Sequence, residues 1–600
     1  MHGSLGAQEP RRDTTTTPQP DSITVVVPAT PAEAALVDSA AGVDSSRIVV
    51  TDTLKAPLAS PHLPRTGAIG PDYEWDRDEL FASGALTLIE LLEQIPGVTA
   101  LRSGWLTSPQ IAAYLGNPGA VCVFYDGAEI DALDGRNGGL LDLAAIPIWS
   151  LDRVVVERGA GELRVYLRSW TYRRVQPNTR TDVFTGDEDT NLYRAFYAKR
   201  FSRGEALQLA AQQFGTTAER GTGADGDQLS LMLRSGWAGG PWSADAFVAR
   251  TRQARSVQRS RDGTRAIPPL EGTATLAYLR AGYGSPEDAG PWAQVMAVHQ
   301  RFKETTGRSE AGGLIALDTA DTSRSRAQYV VAVGITRGPL RVSGTNRTRV
   351  FGGGARHAQS ARASLGFDRA SVSLFAERGG TDSSTRAEAS ARFAPLPFVE
   401  LLGAAALVHD DRPSAARADS RFARAEVGLL LGDLWVGGGG MYRDSVSLAA
   451  PVVFDTAFAD AVEPRALGVF AVVRGRAWRS IYLDVTASRW ESRGFYRPRF
   501  QSRSRIFLST SWLSRFPGGD FGALVSFQHE YRTEMPVPGT DAMLIAPASH
   551  VVSTLLEVRI MSAVLSWQSR NIVGLPYQIV PGYDMPRTIN LYGVRWNFWN

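Results

Sequence analysis

The sequence predicts a mainly β fold: an antiparallel transmembrane barrel of about 22 strands with a small N-terminal α/β domain in its lumen. Three observations carry this prediction. Period-2 alternation recurs through the C-terminal two thirds of the chain, abrupt turns alternate there with long connections, and a compact stretch of helix and strand signals comes before them. The composition permits it. Of 600 residues, 44% are hydrophobic and 21% charged, and mean hydropathy is −0.14. No stretch approaches the roughly 18 unbroken apolar residues of a membrane helix, so a multi-pass helical protein is excluded. A barrel is not, because lipid-facing and lumen-facing residues alternate and average out. The 59 glycines, 14 tryptophans and 17 tyrosines suit strands with aromatic girdles.

Charge is balanced, with 64 basic against 61 acidic residues and a net +3, so no nucleic-acid-binding field is present. Lys55, Lys199 and Lys303 are the lysines and all other basic residues are arginine, a bias that genome composition explains. Cys122 is the single cysteine, which excludes an intramolecular disulfide and a thiolate metal cluster.

Taken in chain order, the first residues lack the basic start and apolar core of a secretory signal. Leu5-Gly6-Ala7 before Gln8 nevertheless reads as the small-residue end of a cleavage site, so a signal peptide truncated from this sequence is expected. Residues 1–67 form a tail rich in Thr, Pro, Ala, Ser and Asp that cannot bury enough apolar surface to order itself. Two β-prone islands interrupt it: Asp21-Ser22-Ile23-Thr24-Val25-Val26-Val27 and Arg47-Ile48-Val49-Val50-Thr51. Such an island is suited to pairing with the edge of a partner's sheet, or is a sticky segment without a partner.

Residues 68–178 carry the α/β signals. Leu86-Thr87-Leu88-Ile89-Glu90-Leu91-Leu92 has helical apolar spacing and Pro96-Gly97 stops it. Val121-Cys122-Val123-Phe124-Tyr125 is a buried-strand run closed by Asp126-Gly127, and Arg153-Val154-Val155-Val156-Glu157-Arg158-Gly159 is another strand. Leu91-Leu92-Glu93-Gln94-Ile95-Pro96-Gly97-Val98, Val123-Phe124-Tyr125-Asp126-Gly127, Ile146-Pro147 and Val156-Glu157-Arg158-Gly159 follow one another at suitable spacing. In that order they resemble the plug domain of TonB-dependent outer-membrane receptors. The chain departs from the family after Arg158-Gly159. Glu162-Leu163-Arg164-Val165-Tyr166-Leu167-Arg168 stands where a Gly-rich turn and a strand ending in an Asn-containing motif are usual.

Residues 179–600 read as the barrel. Ile481, Leu483, Val485 and Ala487 alternate with Tyr482, Asp484, Thr486 and Ser488; Val552 to Ile560 and Arg505 to Trp512 alternate likewise. Junctions are abrupt at Arg337-Gly338-Pro339, Asp368-Arg369-Ala370, Leu431-Gly432-Asp433, Ala477-Trp478-Arg479 and Ile560-Met561-Ser562. Long connections lie between them at about 257–271, 305–324, 446–465, 536–549 and 575–586. That is the expected alternation of short periplasmic turns and longer extracellular loops. About 22 strands at roughly 9–11 membrane residues each fit the available length, and so wide a barrel requires a plug. The last strand sets Tyr592, Val594, Trp596 and Phe598 against Gly593, Arg595 and Asn597. It resembles the closing strand of such receptors, with Trp599 penultimate in place of a terminal aromatic.

No catalytic constellation is present, and the chain is expected not to be an enzyme. His529-Glu530 lacks the second histidine of a zinc helix, and there is no Gly-x-Ser-x-Gly elbow, P-loop or dinucleotide fingerprint. His409-Asp410-Asp411 and Gly223-Ala224-Asp225-Gly226-Asp227 read better as solvated loop charge than as metal sites, so no metal and no cofactor is expected. The arginine-dense stretch with Arg255, Arg259 and Arg261 suits an anionic ligand or lipopolysaccharide phosphates; a solvated loop is the plain alternative. Arg102, Trp105, Asp134, Arg136 and Asn137 fall in turns of the α/β domain, and Glu157 and Arg158 are expected to make charged contacts with the barrel wall.

The resemblance implies more. It makes residues 21–27 a TonB box, the outward turns of the plug part of a ligand site, and the cell outer membrane the location. The implied activity is TonB-dependent energised uptake of a scarce nutrient by a monomer in contact with outer-membrane lipid and lipopolysaccharide. Siderophore, cobalamin, saccharide and peptide substrates all remain open. The alternative is a receptor-like plugged barrel that binds at the surface, or acts as an adhesin, without energised transport.

Overall fold

The computed structural model describes residues 73–172, 175–217, 225–304, 322–351, 354–379, 384–410, 419–517 and 520–599. The tail with both β-prone islands lies outside these residues.

A closed barrel of 22 strands begins at Asn178–Gly186 and ends at Ile589–Trp599. Every neighbouring pair is antiparallel, and the last strand closes on the first with Leu591 opposite Gly186 and Trp599 opposite Asn178. Alternation dictates which way each strand faces. In Gly226–Gly239, Gln228, Ser230, Met232 and Arg234 are buried toward the lumen, while Leu229, Leu231 and Leu233 are exposed. This is a soluble protein turned inside out, with apolar side chains outward and polar ones inside, as a lipid-facing wall requires. The five abrupt junctions are tight connections at one end of the barrel; Gly338 and Gly432 take positive φ there, of 55° and 65°. Exposed Trp237, Trp242, Phe367, Phe398, Trp478 and Trp512 ring that end as an aromatic girdle.

At the opposite end the long connections carry small hairpins that short strands hide from any periodicity: Gln258–Arg259 with Ala266–Ile267, Val446–Leu448 with Ala461–Glu463, and Met535–Val537 with Leu544–Ala546. Phe454, Tyr496, Met535 and Tyr583 are buried among these loops. Glu463 accepts from Arg497 at 3.1 Å and faces Arg443 at 3.5 Å, which offsets part of the charge that this packing encloses. The loops thereby form a cap over part of the lumen.

Inside the lumen lies a small α/β unit. Its five-stranded sheet has the order β1 (Glu74–Asp76), β6 (Leu151–Arg158), β7 (Leu163–Ser169), β4 (Val121–Tyr125), β5 (Ala128–Glu129), and a separate hairpin pairs β2 (Val98–Arg102) with β3 (Gln110–Tyr114). Local rules explain the pieces. Asp76 and Glu79 form a reciprocal capping box on the helix Arg77–Ala82, each carboxylate accepting from the other's backbone N–H at 2.9 and 3.0 Å. Asp126 and Gly127, with φ of 51° and 98°, make the tight turn from β4 to β5. The segment after Arg158-Gly159 that departs from the family pattern is β7, the central strand, antiparallel to β6 and parallel to β4. Its seven residues are all buried, which accounts for their apolar alternation with arginines that find partners in the wall.

Candidate functional site

The unit is held in the barrel by paired charges. The helix Leu88–Leu92 places Glu90 at its start, where one carboxylate oxygen accepts from Leu86 N at 2.9 Å. The same carboxylate meets Arg102 at 3.2 Å and Arg570 of the wall at 2.9 Å. Burial alone would raise its pKa; Arg570 and Arg102 outweigh that and hold Glu90 down at about 2. Arg102 also meets Glu93 at 3.2 Å, and Glu93 reaches Arg503 of the wall at 3.3 Å. Arg102 is therefore buried between the domain's own acids. Trp105 is buried as well, packed with Leu106, Leu192, Phe214, Ile589 and Leu591.

Glu157 and Arg158 stand at the end of β6. Glu157 meets Arg362 of the wall at 2.8 Å and Arg164 at 3.2 Å, and Arg158 pairs with Glu426. Burial pushes Glu157 up, but Arg362 and Arg164 bring it to about 2. Glu129 adds Arg347 at 2.7 Å, and Asp131 adds Arg326 at 2.7 Å. The domain contributes mostly carboxylates and the wall mostly arginines, so the two surfaces are electrostatically complementary.

The turn at 134–139 faces the long-loop end. Asp134 caps the short helix Gly135–Asn137 by accepting from Arg136 N at 3.0 Å, and it takes the Arg136 guanidinium at 2.7 Å. Burial would raise Asp134, but its bonds to Arg136 hold it below the ordinary carboxylate range. Arg136 meets Glu304 of the wall at 3.2 Å, Asn137 is buried, and Gly135, Gly138 and Gly139 are exposed. The Arg324 guanidinium lies directly over Gly135, close enough that any side chain there would displace it. Arg255 is 3.9 Å from Asp142, the residue that caps the next short helix. Arg259 lies in the 258–267 hairpin, and the exposed Arg261 side chain is 3.8 Å from Asp584. The structure thus gathers Asp134, Arg136, Asn137 and Arg255 at one mouth and sets Arg102 and Trp105 into the packing below.

A solvent-open cleft lies between β2 and the wall beneath the capping loops. Glu93, Thr99, Gln501, Arg503, Glu530, Arg532 and Tyr577 line it. Sequence reasoning missed Gln501, Arg503, Glu530 and Arg532, because each is one polar position in an alternating strand like dozens of others. Among the described residues no group of three or more His, Cys, Asp or Glu side chains is placed to hold a metal ion. His409 pairs with Asp419 at 2.8 Å.

No family model matches the sequence, and no curated protein matches it either. Solved structures do. The siderophore receptor PirA from Acinetobacter baumannii superposes with a TM-score of 0.66 at 10% identity, covering 88% of this chain and 98% of that one. The apo FrpB iron transporter from Neisseria meningitidis gives 0.67 at 9% identity, covering 87% and 98%. A ferric enterobactin receptor, PfeA from Pseudomonas aeruginosa, gives 0.65 at 10% identity, covering 88% and 98%. At such identities the likeness shows the fold alone: a closed 22-stranded barrel with a small α/β domain in its lumen, as the sequence predicts.

Proposed function

We propose that this chain is an outer-membrane TonB-dependent receptor that imports a scarce nutrient by energised movement of its plug. The observation that supports it most is the plug itself, seated in a closed barrel by ion pairs. Glu90–Arg570, Glu157–Arg362, Glu129–Arg347 and Asp131–Arg326 all cross the boundary between plug and wall. In this reading an external pull breaks these contacts together, and residues 21–27 are the segment on which TonB would pull.

In this reading a ligand enters at the long-loop end and meets Arg136, Arg324 and the cleft below the cap. The similar structures are of a siderophore receptor, an iron transporter and a ferric enterobactin receptor, which makes a ferric siderophore the first substrate to try. The test is uptake of a radiolabelled ferric siderophore by cells producing the intact chain or a chain lacking residues 21–27. Uptake is expected to vanish with the deletion and with a protonophore, while binding to the cell surface persists. Uptake that survives both treatments rejects energised import; surface binding without uptake in the intact chain favours the non-transporting reading.

A further inference from the structure

Beneath the capping loops a buried cluster holds two guanidiniums and one carboxylate. Arg443 ends the wall strand Leu434–Arg443, and its side chain is 0% exposed. Among the described residues it is the one arginine whose three guanidinium nitrogens are all buried without a hydrogen-bond acceptor. It faces Glu463 at 3.5 Å. That carboxylate is already in use, since Oε1 accepts from Arg497 at 3.1 Å and Oε2 from Phe495 N at 3.0 Å. Arg497 is better supplied. It also donates to Ser492 O at 3.2 Å and lies 4.4 Å over the Trp490 ring, and its Nε is the nitrogen left buried without an acceptor. One carboxylate therefore serves two enclosed cations, and Arg443 has the poorer share.

The neighbouring acids do not make up the difference. Asp444, the next residue, accepts from Tyr442 Oη at 2.8 Å and from Arg421 N at 3.2 Å. Glu491, on the far side of Arg497, is exposed and screened by water. The strand partners of Arg443 are Phe422 and Ala466, both buried and apolar. Water alone would give the guanidinium its acceptors and leave its charge uncompensated, and an uncompensated buried charge is strongly destabilising. The position is as telling as the charge. Arg443 belongs to the wall, Glu463 to the hairpin of Val446–Leu448 with Ala461–Glu463, and Arg497 to the connection 491–499. On the plug side, a β-carbon on Gly116 would stand 3.1 Å from Phe495 O and 3.2 Å from Arg497 Cβ. Wall, cap and plug meet at this cluster.

We propose that Arg443 and Arg497 hold a chloride ion in this enclosure, and that the ion fastens the capping loops over the plug. The excess positive charge selects an anion, and guanidinium N–H groups supply charge-assisted hydrogen bonds to it. The side chains of Arg443 and Arg497 are 0% and 2% exposed, which selects a single-atom ion over phosphate or the carboxylate of an incoming ligand. The site concerns the architecture of the cap and is independent of import.

The test uses the full chain purified in detergent, in sodium chloride, sodium bromide or sodium gluconate at one ionic strength, so that screening is equal in all three. Hydrogen exchange of residues 441–448, 461–467 and 491–499 is the readout. Protection there is expected to rise to a plateau with chloride and with bromide and not with gluconate, while the wall strand Gly226–Gly239 responds to none of them. Arg443→Met is expected to weaken the halide response roughly a hundredfold. Glu463→Gln, which removes the competing negative charge, is expected to bring the plateau at about tenfold lower halide. A purely structural role would instead loosen the cap in every salt. Heat-modifiable gel mobility checks that each barrel has closed. If neither variant closes, crystals of the parent grown in bromide decide, with an anomalous peak expected beside the Arg443 guanidinium. Halide-independent protection in the parent overturns the proposal, as does an equal halide response from Arg443→Met or a bromide crystal with no peak at Arg443. Absence of siderophore uptake with the halide response intact would reject the transport reading and leave this one standing.

Discussion

Glu90 shows how much a single side chain is asked to do. It satisfies the backbone at the start of one short helix, neutralises Arg102 and ties the plug to Arg570. Replacing Arg570 with Ala leaves a buried carboxylate with half its compensation, and the plug is expected to lose about 3 kcal/mol of docking stability. Hydrogen exchange of residues 86–102 in the closed barrel would register this as a large loss of protection; unchanged protection would refute it. The pH dependence has a definite sign. Glu90 and Glu157 both titrate near 2 in the folded state against an ordinary value of 4.5, so their contribution is complete above about pH 4.5. It drains away as the pH falls from there toward 2. Acid-induced exposure of the plug, followed by protease cleavage, is expected within that window and not between pH 6 and 8.

Elements differ in how plainly they announce themselves. The helix at Leu88–Leu92, the turn at Asp126-Gly127 and the lipid-facing residues of Ile481–Trp490 were legible because each obeys a local rule of spacing or backbone geometry. The loop hairpins were not, since strands of two or three residues have no period to detect. The partners of the charged residues were hidden for another reason: Glu90 and Arg570 are 480 positions apart, and nothing local marks either as the other's mate. Arg102 looks like an exposed turn residue until Glu90 and Glu93, a helical turn apart, fold back onto it. One element-scale prediction follows from the turn. Gly127 at φ 98° holds a backbone conformation that side chains rarely adopt, so Gly127→Ala is expected to cost about 1–2 kcal/mol. Urea titration of the plug's own unfolding step would measure the cost, and a change below 0.5 kcal/mol, by the same scale, would argue against that backbone.

Through the described strands of the barrel, polar side chains face mostly inward and apolar ones mostly outward, while the plug keeps an apolar core of its own. That inversion explains why bulk composition looks ordinary while the architecture is a membrane protein. Two kinds of surface meet in the lumen, an acidic plug and an arginine-rich wall, so raised ionic strength is expected to loosen the plug's exposed pairs before its buried ones. The pairing of Ile589–Trp599 with Asn178–Gly186 makes the last strand indispensable to closure. A chain ending at residue 588 is expected to run as an unfolded band regardless of heating, and a heat-modifiable band from that truncation would contradict the seam.

The seam also sets an order of events. The strand that seals the ring follows every other described strand of the wall in sequence, whereas the domain it encloses precedes them all. The contact that shuts the wall therefore spans every other strand of it, the longest loop that any pairing in the barrel has to close. A plug that docks while the sheet is still an open, curling ribbon needs no passage through the mouth, and the final hydrogen bonds then shut it in. Assembly by that route is an act of wrapping, in which the cargo is packed before the parcel is closed.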